Sequence, residues 1–348
     1  MHLLVLALIC GAACSAVRTP ADRTPLPLRV GTSGDYPPFS LRTDTGADAG
    51  TYAGFDVTVA RAYATERGRA LVLVPFRWPE LATRLAAGDF DVAMSGVTVR
   101  GDRLLTGTLT AAVARADAVV LVRHDEKIAG SFDDPRRRVA VNRGGHLERV
   151  ARARLPRATL VTVDDNRSLP GLLRDRRVDA VVTDTLEAAT YAPGGFTIAA
   201  RLARDRKAYW VAPGRDPLAR DLDAWLLARE RDGSLARWRA SELHDPRPPS
   251  VSPEIARVVD LAARRLLVMP AVAAAKRAAN LPLVDPAREA TVIARAAERA
   301  ASAGLDATAA RRLAEAQIAA ARAVQEATPA NAASTVAGDP PTLATIRT

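Results

Sequence analysis

A proline-rich segment divides this chain of 348 residues into two parts with different hydrophobic patterns. The segment, HDPRPPSVSP at residues 244–253, has no periodicity of its own. Before it, residues 28–243 alternate short apolar runs with amphipathic stretches of helical period, the pattern of an α/β fold. After it, residues 254–348 are alanine-rich and helical in period, with almost no strand signal. We therefore predict an α/β domain and an all-helical domain, with few contacts across the linker.

The first residues have the character of an export signal. LLVLALICGAAC, residues 3–14, is an apolar run of signal-peptide length that is too short to span a bilayer. Two processing sites are open: Cys14 as the lipidated residue of a lipobox-like GAAC, or cleavage after Ala16. Residues 17–27 follow as a proline-rich linker. A periplasmic protein is expected, with its signal peptide at residues 1–16, and a lipid anchor is the alternative to free release.

The basic residues are numerous but scattered. The formal net charge is +10, yet the chain has no zinc-finger spacing and no basic stripe interleaved with aromatic residues. Nucleic-acid binding is therefore not expected, whereas sites for small anions are. Of the 49 basic residues only three are lysines, Lys127, Lys207 and Lys276. An ammonium and a guanidinium are not interchangeable where geometry matters, so these three positions attract attention.

One short stretch places an acid where α/β folds bind ligands. In VVTDTLEAAT, residues 181–190, the two valines end a buried strand, and Thr183 and Asp184 begin a helix. Glu187 then lies in the first turn of that helix. Ligands of open α/β sheets lie just outside the carboxyl ends of strands. On position alone a first-turn glutamate most often stabilises the helix dipole, and a reactive acid is the alternative.

Several motifs of the first part resemble the periplasmic solute-binding proteins for amino acids and, within that group, the cyclohexadienyl dehydratases. They are GDYPPFS, RWPELATRL, MSG, NRGG, TDTLEA and KAYWV. The resemblance covers roughly residues 28–242 and implies two α/β lobes joined by crossover strands, with ligand in the cleft. It implies dehydration of prephenate, or of arogenate, without a metal or an organic cofactor. Glu187 matches the family's general acid, and Lys207 matches the lysine of its K-A-Y motif.

The same resemblance implies a set of substrate-binding residues. Arg103 matches the carboxylate-binding arginine of the amino-acid receptors, and a bidentate guanidinium suits that task. Trp78 would form an apolar wall that favours a neutral Glu187. The remaining members are Asp35, Tyr36, Ser95, Gly96, Asn142, Gly145 and His146. The alternatives are a core position for Trp78, a solvated loop for Arg103, loop ordering for Asp35 and Tyr36, and a surface helix cap for His146.

The chain departs from the pattern of that family in two places, and one of them is His146-Leu147, where relatives carry Thr-Asn after the two glycines. After the arginine, relatives carry Phe-Ser-x-Pro-Tyr, whereas this chain has GTLTAAVARA at residues 107–116. The second departure concerns the region where the chain is expected to cross between the lobes.

The second part resembles the secreted, all-helical chorismate mutases, over roughly residues 254–348. The motifs that carry the resemblance are VAAAK and VDPARE. It implies that Arg265 and Arg288 bind carboxylates and that Lys276 and Gln325 contact the ether oxygen, with Arg347 as a further arginine. The rearrangement of chorismate is unimolecular, so a cage that holds the compact conformer and stabilises developing charge suffices.

Helical geometry supports part of this cage. Arg265 and Lys276 are eleven residues apart, nearly three turns, so on one helix both face the same way. Asp285 and Pro286 have the character of an N-cap and a first helical residue, which places Arg288 in a first turn. The alternative is a solvated face on a dimerisation bundle, which would make the protein a homo-oligomer.

Together these observations predict an exported bifunctional enzyme that acts on small anionic substrates. The helical part converts chorismate to prephenate, and the α/β part converts prephenate to phenylpyruvate. One rival is an amino-acid receptor with a helical oligomerisation domain. Another is a chain with one active domain and a weakened mutase.

Overall fold

The computed structural model describes residues 25–126, 130–245 and 252–330. The predicted signal peptide, Cys14, Lys127 and Arg347 lie outside the described residues. The strands are β1 (Leu28–Thr32), β2 (Asp35–Tyr36), β3 (Ser40–Arg42), β4 (Tyr52–Ala53), β5 (Leu71–Pro75), β6 (Val92–Ala93), β7 (Thr108–Leu109), β8 (Ala114–Arg115), β9 (Ala118–Arg123), β10 (Arg138–Asn142), β11 (Thr159–Val163), β12 (Ala180–Asp184), β13 (Phe196–Ala203), β14 (Arg206–Lys207) and β15 (Trp210–Val211).

The α-helices divide between the two parts of the chain. The first part contains α1 (Phe55–Glu66), α2 (Leu81–Ala86), α3 (Gly101–Thr106), α4 (His146–Arg154), α5 (Leu169–Arg174), α6 (Thr185–Tyr191), α7 (Asp216–Arg231) and α8 (Ser234–Glu242). The second part contains α9 (Pro253–Leu267), α10 (Met269–Ala278), α11 (Pro286–Ser302) and α12 (Ala307–Ala327). None of the helices in these described segments is long and apolar enough to cross a membrane.

Two mixed five-stranded sheets form the two lobes of the first part. The first has the order β5-β1-β6-β15-β7 and the second has the order β11-β10-β12-β9-β13. Each lobe buries its own apolar residues around its sheet. Strand β15 follows the second lobe in the chain but pairs with β6 and β7 of the first, antiparallel to both. The chain therefore crosses between the lobes twice, and the pair β8-β14 joins the two crossovers.

Local sequence accounts for the elements that carry the cleft. Val181 and Val182 lie in β12, and Asp184 caps α6 by accepting hydrogen bonds from two backbone amides of its first turn, as the sequence predicts. Helix α4 begins after Gly145 and ends at Arg154. The stretch KAYWVAP, residues 207–213, does not form one continuous strand. Its first residue belongs to the crossover pair and its fourth and fifth residues to the first sheet, so the two short strands have different partners.

The helical region corrects one expectation about the mutase cage. Arg265 and Lys276 do not lie on one uninterrupted helix, because α9 ends at Leu267 and α10 begins at Met269. Pro270 explains the break: it has no amide hydrogen, and its ring clashes with the carbonyl of residue 266 in a continuous helix. The argument that the two side chains share a face because of their spacing is therefore wrong.

The prediction of few contacts between the two parts is also wrong. Helix α9 packs against the first lobe, and ion pairs and hydrogen bonds from Arg257, Asp260 and Arg264 cross the boundary. Leu267 approaches so closely that a Cβ on Gly101 would lie 2.3 Å from its carbonyl oxygen. The absence of periodicity in the linker gives no information about contacts made by the residues after it.

Candidate functional site

The cleft between the lobes is closed around a small cavity. Its volume is about 10 Å³, roughly the space that one water molecule needs. Both lobes and a crossover contribute to the wall, which consists of Tyr36, Trp78, Gly96, Thr98, Arg103, Asn142, Gly145, His146, Leu147, Asn166 and Lys207. The structure thus brings together eight of the residues that the sequence assigns to catalysis or substrate binding in the first part. A larger ligand would require the lobes to move apart.

A buried ion pair connects the lobes at the centre of the cleft. Lys207 is 2% exposed, and its ammonium lies 3.0 Å from a carboxylate oxygen of Asp184, which is fully buried. The same ammonium donates hydrogen bonds to the hydroxyls of Tyr36 at 2.9 Å and Thr98 at 3.1 Å. The Tyr36 hydroxyl in turn donates to Asp184. Because Asp184 also caps α6, this network fixes the start of that helix relative to the first lobe.

Glu187 is not a solvated surface charge. It is fully buried in the first turn of α6, and its carboxyl accepts hydrogen bonds from Thr183 and, at 2.8 Å, from the Tyr191 hydroxyl. Burial raises the pKa of this carboxyl well above its usual range, and the negative charge of Asp184 adds to the effect. This environment favours the protonated form of the Glu187 carboxyl.

Arg103 and Trp78 both lie on the cavity wall. Arg103 belongs to α3 and is 4% exposed, so the alternative of a solvated loop is wrong. Its guanidinium donates to the Thr98 carbonyl oxygen at 2.7 Å, and it lies 5.4 Å from the centre of the Trp210 ring. Trp78 is buried as well, and its indole nitrogen donates to Asp35 at 3.2 Å. Trp78 is thus part of the core and of the cavity wall at once.

The second lobe contributes a turn before α4. Asn142 ends β10, and Gly145 precedes the first residue of α4, His146, whose ring nitrogen Nε2 lies 2.9 Å from a carboxylate oxygen of Asp205. His146 is largely buried, so a surface helix cap does not describe it. Burial lowers the pKa of its imidazole, although the hydrogen bond to Asp205 opposes that shift. At Gly144 the chain adopts φ +73°, and a Cβ would lie 2.8 Å from Pro79 of the first lobe, so only glycine permits this approach.

Three of the predicted residues stand behind the wall rather than on it. The Ser95 hydroxyl is bonded to the amide and hydroxyl of Ser33 at 3.1 and 2.8 Å. Asp35 accepts a hydrogen bond from the Asn166 amide of the other lobe at 3.3 Å, and burial raises the pKa of its carboxyl. Glu187 is the third. In this closed arrangement these side chains support the wall.

Sequence reasoning did not select four residues that belong to this site. Asp184 was interpreted only as a helix start, although it lies within the TDTLEA motif. Thr98 follows Gly96 by two residues and contacts the Lys207 ammonium. Asn166 and Asp205 have no comparable signal, because both reach the site through contacts with residues far away in the chain.

The described residues that the sequence assigns to the mutase lie in the helical region and do not line the cleft cavity. Arg265 and Arg288 are exposed on α9 and α11. The Lys276 ammonium donates to the Leu283 carbonyl oxygen at 2.6 Å, in the segment that leads into α11. Gln325 is buried, and its amide nitrogen bonds to the Ala321 carbonyl oxygen at 3.2 Å and approaches the Met269 sulfur at 3.6 Å. Asp285 caps α11 as predicted, by accepting the amide hydrogen of Arg288 at 3.0 Å.

The ion pair between Asp184 and Lys207 provides a stability test. Asp184→Asn should destabilise the fold by about 3–5 kcal/mol, because it leaves the buried Lys207 ammonium without a counter-charge. The matched control is Asp164→Asn, which removes the partner of Arg143 in an exposed pair and should cost at most about 1 kcal/mol. Urea unfolding of both variants measures the difference, and equal losses would contradict it.

A second buried carboxyl makes stability depend on pH. Asp56 is fully buried and accepts the Gly96 amide hydrogen at 2.5 Å, and burial raises the pKa of its carboxyl from 3.8 to about 7. The folded chain therefore keeps this proton to higher pH than the unfolded chain does. The resulting stabilisation is complete below pH 3.8 and is lost as the pH rises through about 7.

Asp56→Asn should therefore reduce the loss of stability between pH 4 and pH 8 by a few kcal/mol, about 1.4 for each unit of pKa shift. Thermal melting of both proteins across this range measures the effect. Parallel curves for the variant and the unmodified chain would show that Asp56 does not titrate there.

Comparison with known proteins places both parts of the chain. Residues 28–241 match the model of the bacterial extracellular solute-binding proteins, family 3, and residues 256–326 match that of chorismate mutase type II. Cyclohexadienyl dehydratase from Pseudomonas aeruginosa is 33% identical over 250 residues, which cover 67% of this chain and 89% of that protein. The L-arginine-binding protein of the same organism is 29% identical over 188 residues, which cover 52% of this chain and 70% of the relative.

Solved structures agree with this assignment. The crystal structure of an ancestral amino acid-binding protein, described as a precursor of cyclohexadienyl dehydratase, superposes with a TM-score of 0.58 at 30% identity. The superposition covers 62% of this chain and 95% of that one. The chain therefore belongs to family 3 of the bacterial extracellular solute-binding proteins, and it continues into a helical region that matches chorismate mutase type II.

Proposed function

We propose that the chain is a bifunctional enzyme of phenylalanine biosynthesis. Its helical region rearranges chorismate to prephenate, and its two-lobed part converts prephenate to phenylpyruvate. The observation that carries the proposal is Glu187: a fully buried carboxyl with a strongly raised pKa, beside a cleft whose wall contains the two cations Arg103 and Lys207. The product of the first activity is the substrate of the second, so the two matched families fit one sequence of reactions.

The dehydration requires one proton at one atom. The ring hydroxyl of prephenate leaves as water when the Glu187 carboxyl donates its proton to the hydroxyl oxygen. The bond between the ring and its carboxylate breaks at the same time, and its electron pair completes the aromatic ring while carbon dioxide is released. Glu187 ends as a carboxylate and regains its proton from water. The sum is prephenate plus one proton giving phenylpyruvate, carbon dioxide and water.

The charges of the cleft suit a substrate with two carboxylates. The Arg103 guanidinium suits a bidentate contact with one carboxylate, and the Lys207 ammonium, also on the cavity wall, adds a second positive charge for the other. Trp78 lies on the cavity wall and supplies an apolar surface for the ring. The amides near Asn142 and Gly145 add donors at the second lobe.

The same ion pair argues against an amino-acid receptor. A receptor needs a carboxylate in the cleft that is available to the α-ammonium group of its ligand. Asp184 is the carboxylate paired with Lys207 of the cavity wall, and the Lys207 ammonium already neutralises it at 3.0 Å. Burial of Glu187 favours its neutral form, which cannot serve as that counter-charge.

In the helical region, we assign carboxylate binding to Arg265, Arg288 and Arg347, and contact with the ether oxygen to Lys276 and Gln325. Gln325 suits this role because its side chain is buried and its amide nitrogen is a hydrogen-bond donor, which in this structure bonds to the Ala321 carbonyl oxygen at 3.2 Å. The breaking ether bond places negative charge on oxygen, which an ammonium stabilises more in the transition state than in the substrate.

The cellular setting and the substrate range belong to the same proposal. The apolar segment at residues 3–14 directs the chain to the periplasm. Arogenate differs from prephenate by an amino group in place of the keto oxygen of the side chain, away from the leaving hydroxyl, so Glu187 serves both substrates by the same step.

The direct test supplies the purified chain with chorismate and follows phenylpyruvate. Formation of phenylpyruvate, with prephenate as a transient intermediate, is expected. Prephenate added alone tests the second activity separately from the first. Tight binding of an amino acid without turnover of either substrate would favour the receptor instead.

A further inference from the structure

Helix α9 contacts the first segment through which the chain crosses between the lobes. The Arg264 guanidinium donates to the Leu109 carbonyl oxygen at 2.5 Å and also to that of Thr110. Arg264 is 6% exposed, so these are charge-assisted bonds shielded from water. Thr110 is paired in turn with Tyr209, on the segment that returns to the first lobe: the Thr110 amide donates to the Tyr209 carbonyl oxygen at 2.9 Å, and the Tyr209 amide donates to the Thr110 hydroxyl at 3.0 Å.

The same helix also contacts the second crossover. Asp260, likewise 6% exposed, forms ion pairs with Arg206 and, at 2.7 Å, with Arg264. Arg206 directly precedes Lys207 in β14. One buried side-chain pair on α9 therefore links the first crossover to the residue that precedes the cleft lysine.

A third contact extends this arrangement. Arg257 pairs with Asp223 of α7 at 3.0 Å, and the same carboxylate accepts the amide hydrogen of Ala111 at 2.6 Å. Three successive residues, from Leu109 at the end of β7 to Ala111 in the first crossover, are thus held directly or through one side chain. They lie in GTLTAAVARA, a segment in which the sequence departs from its family's pattern.

We propose that α9 braces the two crossovers and favours the closed arrangement of the lobes, with Asp260 and Arg264 as positioning residues for the dehydration. Lobes joined by two strands move by changes in the backbone angles of those strands. Contacts that fix both strands therefore bias the equilibrium between open and closed forms. In the closed form Lys207 meets Tyr36 and Asp184. This inference rests on the proposed function for its kinetic test and on the fold alone for its structural test.

If α9 braces the crossovers, loss of its contacts should raise KM and leave kcat nearly unchanged. Without these contacts, fewer molecules are closed before substrate binds, and apparent affinity falls in proportion to the closed fraction. A saturating substrate still closes the lobes, so kcat is retained. A purely structural defect behaves differently, because it removes active molecules and lowers kcat at unchanged KM.

The kinetic experiment uses Arg264→Ala with prephenate as the added substrate. KM should rise on the order of 10-fold, a usual size for coupling between sites, while kcat stays within about twofold. Arg264→Lys, which keeps a donor and the charge, should recover part of the affinity. The control is Arg311→Ala, an exposed arginine on α12, which should leave both constants unchanged. An unchanged KM in Arg264→Ala, or a lower kcat alone, would overturn the proposal.

A second experiment measures the lobes directly. Ala82 on α2 and Ala153 on α4 are exposed, one on each lobe, and the native cysteines are only Cys10 and Cys14. In a chain that carries Cys10→Ser and Cys14→Ser, the substitutions Ala82→Cys and Ala153→Cys provide attachment points for two spin labels. The distance between the labels reports closure of the lobes. Without substrate, Arg264→Ala should shift the distances to longer values and Arg311→Ala should not. Identical distances in both variants would refute the brace. Failure of the unmodified chain to convert prephenate would refute the proposed function and leave this measurement valid.

Discussion

Glu187→Gln is expected to lower the dehydration rate by about 100-fold or more while prephenate still binds, since general acid catalysis typically contributes on that scale. The amide has nearly the size of the carboxyl and keeps polar contact with Thr183 and Tyr191, but it has no acidic proton to give. Conversion of chorismate to prephenate should be unaffected, because that chemistry is assigned to the helical region. The measurement is prephenate turnover and binding on one preparation.

Two comparisons distinguish a general acid at position 187 from a carboxylate that only stabilises the helix dipole. Glu148 occupies the corresponding first-turn position of α4, and Glu148→Gln should leave dehydration within about twofold. In the unmodified chain, turnover should decline as the pH rises through the raised pKa of Glu187, because the protonated form is the active one. That decline should be absent from the residual activity of Glu187→Gln. Near-normal turnover in the glutamine variant would remove Glu187 from the mechanism.

The placement of the acid was predictable, but its environment was not. A buried strand followed by Thr-Asp defines where α6 begins, so the first-turn position of Glu187 follows from local pattern. Its burial depends on Tyr191 one turn later and on closure of the other lobe, through Tyr36 and Asp184. The contact between Tyr36 and Asp184 joins residues 148 positions apart in the chain, and no local periodicity encodes it.

The two adjacent arginines of α9 illustrate the same limit. Arg264 is buried against carbonyl oxygens more than 150 residues away, whereas Arg265 is exposed. The family motif draws attention to Arg265, and nothing in the local pattern distinguishes Arg264, because its partners are backbone atoms of the other part of the chain. The break between α9 and α10 is a different case. Pro270 stands in the sequence and is sufficient reason to expect two helices there.

Lys276→Ala is expected to lower kcat for chorismate by on the order of 100-fold, corresponding to about 3 kcal/mol lost with a preorganised electrostatic donor. If the ammonium stabilises charge on the ether oxygen, its contact strengthens in the transition state, so kcat falls rather than KM merely rising. The substitution also removes the bond to the Leu283 carbonyl oxygen, so thermal melting must accompany the kinetics. Alanine has the highest helix propensity, which favours survival of α10.

Prephenate provides the internal control for Lys276→Ala. Added directly, it should become phenylpyruvate at the normal rate, because Lys276 lies outside the cleft and outside the contacts of α9 with the crossovers. The pattern to look for is a large loss with chorismate beside an unchanged rate with prephenate on one preparation. Unchanged chorismate turnover would exclude Lys276 from the rearrangement. A parallel fall of both activities would show that the substitution disturbs the fold, since a residue acting only on the ether oxygen has no means of slowing the dehydration.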